Sequence, residues 1–223
     1  MSIRRQLEAI ADAKNAGFVA RLVPQYAPEQ VLGCRTPQLR ALAKSLDPES
    51  AEVQEFLQAL PHTLFDENQL HAFLISRIRS FDACLAAVRA FVPYLDNWAT
   101  CDQLLPPVFR KQAERLLPDI RQWLRSDAEY TLRYAIGLLM QHFLDGRFDP
   151  VYPEWVCAVQ SEAYYVRMEQ AWYFATALAK QPEAALPYLT AHRLPDWVHR
   201  KTVQKAIESR RIPEDMKAML RQI

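Results

Sequence analysis

The sequence predicts an all-α fold over a single domain, residues 1–223, built as a stack of antiparallel helix pairs around a concave groove. Three observations predict it. Apolar residues recur at helical spacing in nearly every segment. No stretch of alternating apolar and polar residues stands between turn signals. Fifteen prolines and only four glycines punctuate the chain into short helices joined by turns of two to six residues.

Taken in order, residues 3–22 carry a stripe of Ile3, Leu7, Ile10, Phe18 and Leu22, broken by Pro24 and Pro28. Gly33-Cys34-Arg35 reads as a turn. Thr36 reads as an N-cap before Pro37, opening a helix with Leu39, Leu42, Ala43 and Leu46 inward. Residues 50–60 follow, with Val53, Phe56, Leu57 and Leu60 inward. A longer helix over about 66–79 points Leu70, Phe73, Leu74 and Ile78 to the core. Ser80 restarts a helix through Leu95. A short element over Asn97–Asp102 precedes Pro106-Pro107, and helices over 107–116 and 118–125 come next. Asp127 is expected to cap a helix over 128–144. Further helices are predicted over 150–160, 163–180, 182–189, 196–209 and from Pro213 to about Leu220, twelve or thirteen in all. Successive pairs start near residues 36, 66, 97, 128, 164 and 196, the interval of helical solenoid repeats. A HEAT-like α-solenoid is therefore the expected architecture, with a compact non-repeat bundle as the alternative.

Composition removes several function classes. Four scattered glycines leave no phosphate-cradling loop of the dinucleotide or P-loop type. Cys34, Cys84, Cys101 and Cys157 form no Cys-x-x-Cys, and the five histidines show no ligand spacing, so reduced thiols and no zinc site are expected. No apolar run has the length of a membrane span, and no apolar signal region follows the first basic pair; a cytoplasmic protein without membrane contact is expected. The net charge of +1 gives no global attraction for nucleic acid. Charge is nevertheless uneven. Residues 47–67 hold six carboxylates and no lysine or arginine. Residues 193–211 hold six cations, Arg200, Lys201 and Lys205 among them, against Asp196 and Glu208. Such a patch can hold a few phosphates, or it is a solvated helix face.

Four residues stand out as chemistry. Trp98 and Asp102 are one helical turn apart, so a π surface and a carboxylate share a face able to read a cationic ligand. The plain alternative makes Trp98 core and Asp102 a cap or ion-pair partner. Arg133 lies in an apolar helix, where a guanidinium wants an anion or a carboxylate. Trp172 lies among alanines, where it can fill a gap between helices.

Together, Trp98-x-x-x-Asp102, the Tyr130–Ala135 segment with Arg133, and the Tyr164–Trp172 segment resemble, in order and spacing, the DNA alkylation repair glycosylases of the AlkD type. Leu32–Arg40 and Lys201–Ile207 match as well, so the resemblance spans nearly the whole chain. It implies a HEAT-like solenoid whose concave face holds duplex DNA, and excision of N3- and N7-alkylated purines without base flipping. It places the catalytic carboxylate on Asp102, the two tryptophans packing against the lesion deoxyribose on Trp98 and Trp172, and a groove arginine near the DNA backbone on Arg133. Arg200, Lys201 and Lys205 are then the DNA contacts of the basic stretch. The resemblance further implies a monofunctional enzyme acting as a monomer in base excision repair, associated with the nucleoid when on DNA, and requiring no metal or cofactor. A catalytically silent DNA-binding paralogue and a solenoid that binds protein are the alternatives.

Overall fold

The structure is a computed structural model that describes residues 2–223. Among them there are fourteen α-helices, four short 3-10 turns and no strand. No helix among them is long and apolar enough to cross a membrane. The chain, expected to be one domain, divides into two compact units, one ending at Gln112 and the other running from Ala113 to Ile223.

The first unit holds α1 (Ile3–Ala9), α2 (Ala13–Ala20), α3 (Thr36–Ser45), α4 (Ala51–Gln58), α5 (Phe65–Ile75), α6 (Phe81–Phe91) and α7 (Trp98–Gln103). The single helix predicted over 3–22 is two. Asp12 adopts an extended backbone and its side chain accepts from the Asn15 amide 3.0 Å away, which starts a new helix instead of continuing the old one. The loop before α3 returns to this break, where Asp12 N–H donates to Leu32 O. Gly33 sits there at φ +75°, and a Cβ on it would lie 2.3 Å from the Ala16 amide nitrogen. Only glycine meets both conditions. α3 begins one residue earlier than predicted. Arg35 is the N-cap and its carbonyl accepts from Gln38 and Leu39, so Thr36 is the first helical residue and Pro37 the second.

α5 is the centre of this unit and packs against both α3 and α7. All eleven of its residues are buried, including Asp66, Glu67, Asn68, Gln69 and His71. Most of the polar ones are satisfied, as burial demands, while Asn68 Oδ1 is left without a hydrogen bond. Asp66 accepts from the backbone amides of Leu32, Gly33 and Cys34 at 2.7, 3.3 and 2.7 Å and so fixes the loop that enters α3. Glu67 pairs with Arg4 at 3.0 Å, tying α1 to α5. Leu7, Leu39, Val53, Leu70 and Leu74 close the apolar core between α1, α3, α4 and α5.

The predicted helix over 107–116 is a pair of 3-10 turns, Pro107–Lys111 and Ala113–Leu116. The second unit then holds α8 (Leu117–Trp123), α9 (Glu129–His142), α10 (Val151–Ala158), α11 (Tyr164–Lys180), α12 (Pro182–Thr190), α13 (Asp196–Glu208) and α14 (Glu214–Leu220). Asp127 does not cap α9. Ala128 is the N-cap, and the Ser126 hydroxyl takes the Ala128 amide instead. α11 is the spine of this unit. It packs against α9, α12 and α13 and buries Val166, Gln170, Ala171, Tyr173, Phe174, Ala177 and Leu178. Cys34, Cys84 and Cys101 are buried and Cys157 half-buried, all as free thiols.

Candidate functional site

α7 is only six residues long, too short to persist without support. Its support is a buried polar network. Asn97 is fully buried, and its Oδ1 caps the helix by accepting from the Thr100 amide at 2.7 Å. Its Nδ2 lies 2.9 Å from both Asp96 Oδ1 and Thr100 Oγ1. The Tyr26 hydroxyl stands 2.6 Å from both oxygens of Asp96 and accepts from Asn68 Nδ2 at 2.9 Å. Burial first, and then the Asp96 carboxylate, push the Tyr26 phenol up, so it stays a donor to that carboxylate. The network continues through Gln69, which donates to Thr100 Oγ1 at 2.8 Å and accepts from Gln103 Nε2 at 2.7 Å. α7 is thereby fixed to α5 along its inner side.

On this support the helix presents Trp98 and Asp102, both half-buried. The Trp98 indole N–H donates to Leu22 O at 2.9 Å, which sets the ring against the end of α2. Trp98 and Asp102 line one pocket of about 460 Å³ together with Phe18, Leu22, Arg35 and Gln103. The structure thus brings the predicted π surface and carboxylate to one cavity.

In the second unit, Trp172 is 41% exposed, too exposed for a core residue that merely fills a gap between helices. Lys205 of α13 places its ammonium 5.8 Å from the centre of that ring. Both line a pocket of about 590 Å³. Burial, and then the neighbouring Lys201, push the Lys205 ammonium below its ordinary range. Lys201 lies 5.8 Å over the Trp197 ring and bonds to Gln204 Oε1 at 2.7 Å. Arg200 is exposed and lines neither pocket. Arg133 differs from the groove arginine implied by sequence resemblance. It is 4% exposed, with Nη2 2.9 Å from Glu169 Oε2 and Nη1 donating to Tyr165 O at 3.0 Å. The carboxylate that an arginine in an apolar helix calls for is supplied from α11 of the same unit.

The family model for the DNA alkylation repair enzyme matches residues 3–208. This chain belongs to the DNA alkylation repair enzyme family. No curated protein matches it. Membership in that family makes DNA the substrate and repair the setting.

Sequence reasoning missed several residues around these sites in the repair-family chain. Trp197 takes Lys201 on its ring and Arg167 at 5.2 Å, with the Tyr164 ring edge-on at 5.8 Å. Trp197 and Lys201 are four apart, a signal present in the sequence. Lys180 lines the pocket beside Trp172 from the end of α11, and no local spacing joins it to Arg211, a cation of the basic stretch that lines the same pocket from the loop after α13.

Proposed function

We propose that this protein is a monofunctional DNA glycosylase that excises cationic N3- and N7-alkylated purines from duplex DNA and leaves the lesion in the stack. The observation that carries the reading is the pairing of Trp98 with Asp102 in one pocket, on a helix locked from behind. Alkylation makes the purine cationic, so its glycosidic bond is already weak. When that bond breaks, the electron pair returns to the base nitrogen, the base leaves neutral, and the sugar becomes an oxocarbenium ion. Asp102 stabilises that cation from the half-buried position it shares with Trp98, where a carboxylate acts more strongly than in bulk solvent. The face of Trp98 adds cation–π attraction to the lesion nucleotide, and Trp172, on the second unit, offers an exposed face to the duplex. Water then adds to C1′ and gives up a proton to Asp102 or to solvent, leaving an abasic sugar. Arg200, Lys201 and Lys205 hold backbone phosphates, which positions the duplex without reading its sequence. Arg133 acts through Glu169 and Tyr165, holding α9 and α11 in register. The HEAT-like solenoid belongs to the same proposal, since stacked helix pairs supply a long face for a duplex.

The test is release of free N7-methylguanine and N3-methyladenine from methylated duplex DNA. Wild type is expected to release both, and Asp102→Asn to fall by about 10²- to 10³-fold while DNA affinity holds. Normal release by Asp102→Asn would remove the catalytic assignment. A second reading is DNA binding without excision. Absence of release by wild type, with salt-sensitive binding kept, would select it.

A further inference from the structure

Val151, Trp155 and Ala158 fall a turn apart along α10 and form one apolar stripe. Val151 and Ala158 are exposed and Trp155 is half-buried, so the stripe faces solvent. Beside it run the end of α8 and the turn that follows. Between them lies a cavity of about 230 Å³, lined by Arg121, Leu124, Arg125, Trp155, Ala158 and Val159. All of it belongs to the second unit. α10 reaches α11 through Gln170, whose Nε2 donates to Val156 O at 3.0 Å and to Val159 O at 2.9 Å. Gln170 and Trp172 stand about 200° apart around α11, so α10 lies on the side of that helix turned away from Trp172.

Two cations border the cavity. The Arg121 guanidinium stands 5.2 Å from the centre of the Trp155 ring, and Tyr152 meets that ring edge-on at 5.2 Å. A guanidinium laid over a ring keeps its N–H donors in its own plane, where the ring cannot satisfy them. Arg125, four residues on, lines the same cavity. Among the described residues, neither arginine forms an ion pair. The carboxylates around them are placed otherwise. Glu154 is held by Arg193 at 3.0 and 2.6 Å, and Glu129 accepts from the Tyr165 amide at 3.0 Å. Asp119 is buried. Asp127, two residues past Arg125, is exposed and pairs with neither arginine. The rim thus holds two cations against one free carboxylate. The volume is below the usual range for a small-molecule pocket and suits one large apolar side chain.

We propose that this groove docks an acidic amphipathic helix of a partner protein. One apolar side chain of that helix fills the cavity against Leu124 and Trp155. Two carboxylates a turn apart meet Arg121 and Arg125, each through the paired N–H donors that a guanidinium offers. The rest of its apolar face covers the stripe from Val151 to Ala158, as helices do in apolar grooves. A duplex would offer phosphates to the arginines but no apolar surface to the stripe, so the two features together select protein. The partner needs neither the excision chemistry nor the duplex, and the inference stands apart from the function proposed above.

The probe is a synthetic peptide helix without tryptophan, with glutamates at i and i+4 and leucines along one face; its twin carries glutamines instead. The full chain, isotope-labelled for NMR, has five tryptophan indole signals, and Trp155→Phe assigns the one at the groove. The glutamate peptide should shift that signal, and the glutamine peptide should bind about tenfold more weakly. Arg121→Ala with Arg125→Ala should lose a similar factor for the glutamate peptide, and Arg121→Lys with Arg125→Lys should recover part of it. The double alanine variant should keep wild-type affinity for duplex DNA. A Trp155 signal unmoved by the glutamate peptide would overturn the groove as a docking site. Equal binding of the two peptides would overturn the charge match and the acidic partner with it. A loss of duplex affinity in the double alanine variant would give these arginines to DNA phosphates and overturn the protein partner.

Discussion

Asn97 shows how one buried side chain can decide the geometry of a site it does not line. Its oxygen starts α7 and its amide group joins Asp96 and Thr100, so the orientation of the next residue, Trp98, follows from it. Asn97→Ala removes the cap and strands Thr100 and Asp96. The expected cost is about 1–2 kcal/mol of stability, read as a lower urea midpoint. Excision should fall more than stability explains, because Trp98 and Asp102 lose their fixed spacing. Asn97→Ser keeps a capping oxygen and should recover most of the stability but not the excision rate. A rate that tracks the urea midpoint through both variants would reduce Asn97 to a structural residue. Trp98 and Asp102 were legible in the sequence because their four-residue spacing is a local fact. The network beneath them was not, because Tyr26, Gln69 and Asn97 meet only once the first unit is folded.

At the scale of the element, α5 departs furthest from the pattern that predicts it. Periodicity gave the predicted helix over 66–79 four inward residues; three lie in α5, which the fold buries whole, and the fourth, Ile78, is half-buried beyond its end. A helix wrapped on all sides loses the amphipathic contrast that sequence reading depends on. The same holds for the break between α1 and α2, where a single aspartate cap outweighs an unbroken apolar stripe. The helices α9, α11 and α13 were found within a few residues because each is long and strongly periodic. One consequence of burying α5 is a pH dependence of stability. His71 stacks on Phe91 with ring centres 3.9 Å apart, and its Nδ1 lies 2.9 Å from His62 Nε2. Burial, and then charge on His62, push His71 down from its ordinary 6.5 to about 3. The folded state therefore keeps His71 neutral where the unfolded chain protonates it. This contribution is fully present above pH about 6.5 and is lost as pH falls toward 3, at up to ~1.4 kcal/mol per pH unit. Thermal midpoints measured between pH 7 and 4 should fall for wild type. His71→Phe should show a shallower fall over the same window, and an identical fall would mean that His71 contributes nothing to it.

For the whole molecule, the near-neutral charge bears on how DNA can be held. The acidic run over 47–67 is less negative toward solvent than its composition suggests, because Asp66 and Glu67 are buried and bonded within the first unit. The basic run over 193–211 is likewise thinner than its count, since Arg193 is held by Glu154 through two bonds at 3.0 and 2.6 Å. What remains for phosphates in that stretch is Arg200, Lys201, Lys205, Arg210 and Arg211. Affinity for duplex DNA should then rest on about five phosphate contacts rather than on a field spread over the surface. The expected slope of log K against log salt is about −4 to −5, since each neutralised phosphate contributes ~0.9. Between 50 and 200 mM salt that is a loss of roughly 250- to 1,000-fold in affinity. Fluorescence anisotropy with a labelled duplex measures it directly. A slope steeper than about −6 would mean cationic contacts beyond α13 and the loop after it. A slope near zero would mean that phosphates are not what this surface holds, and would favour a protein partner over DNA.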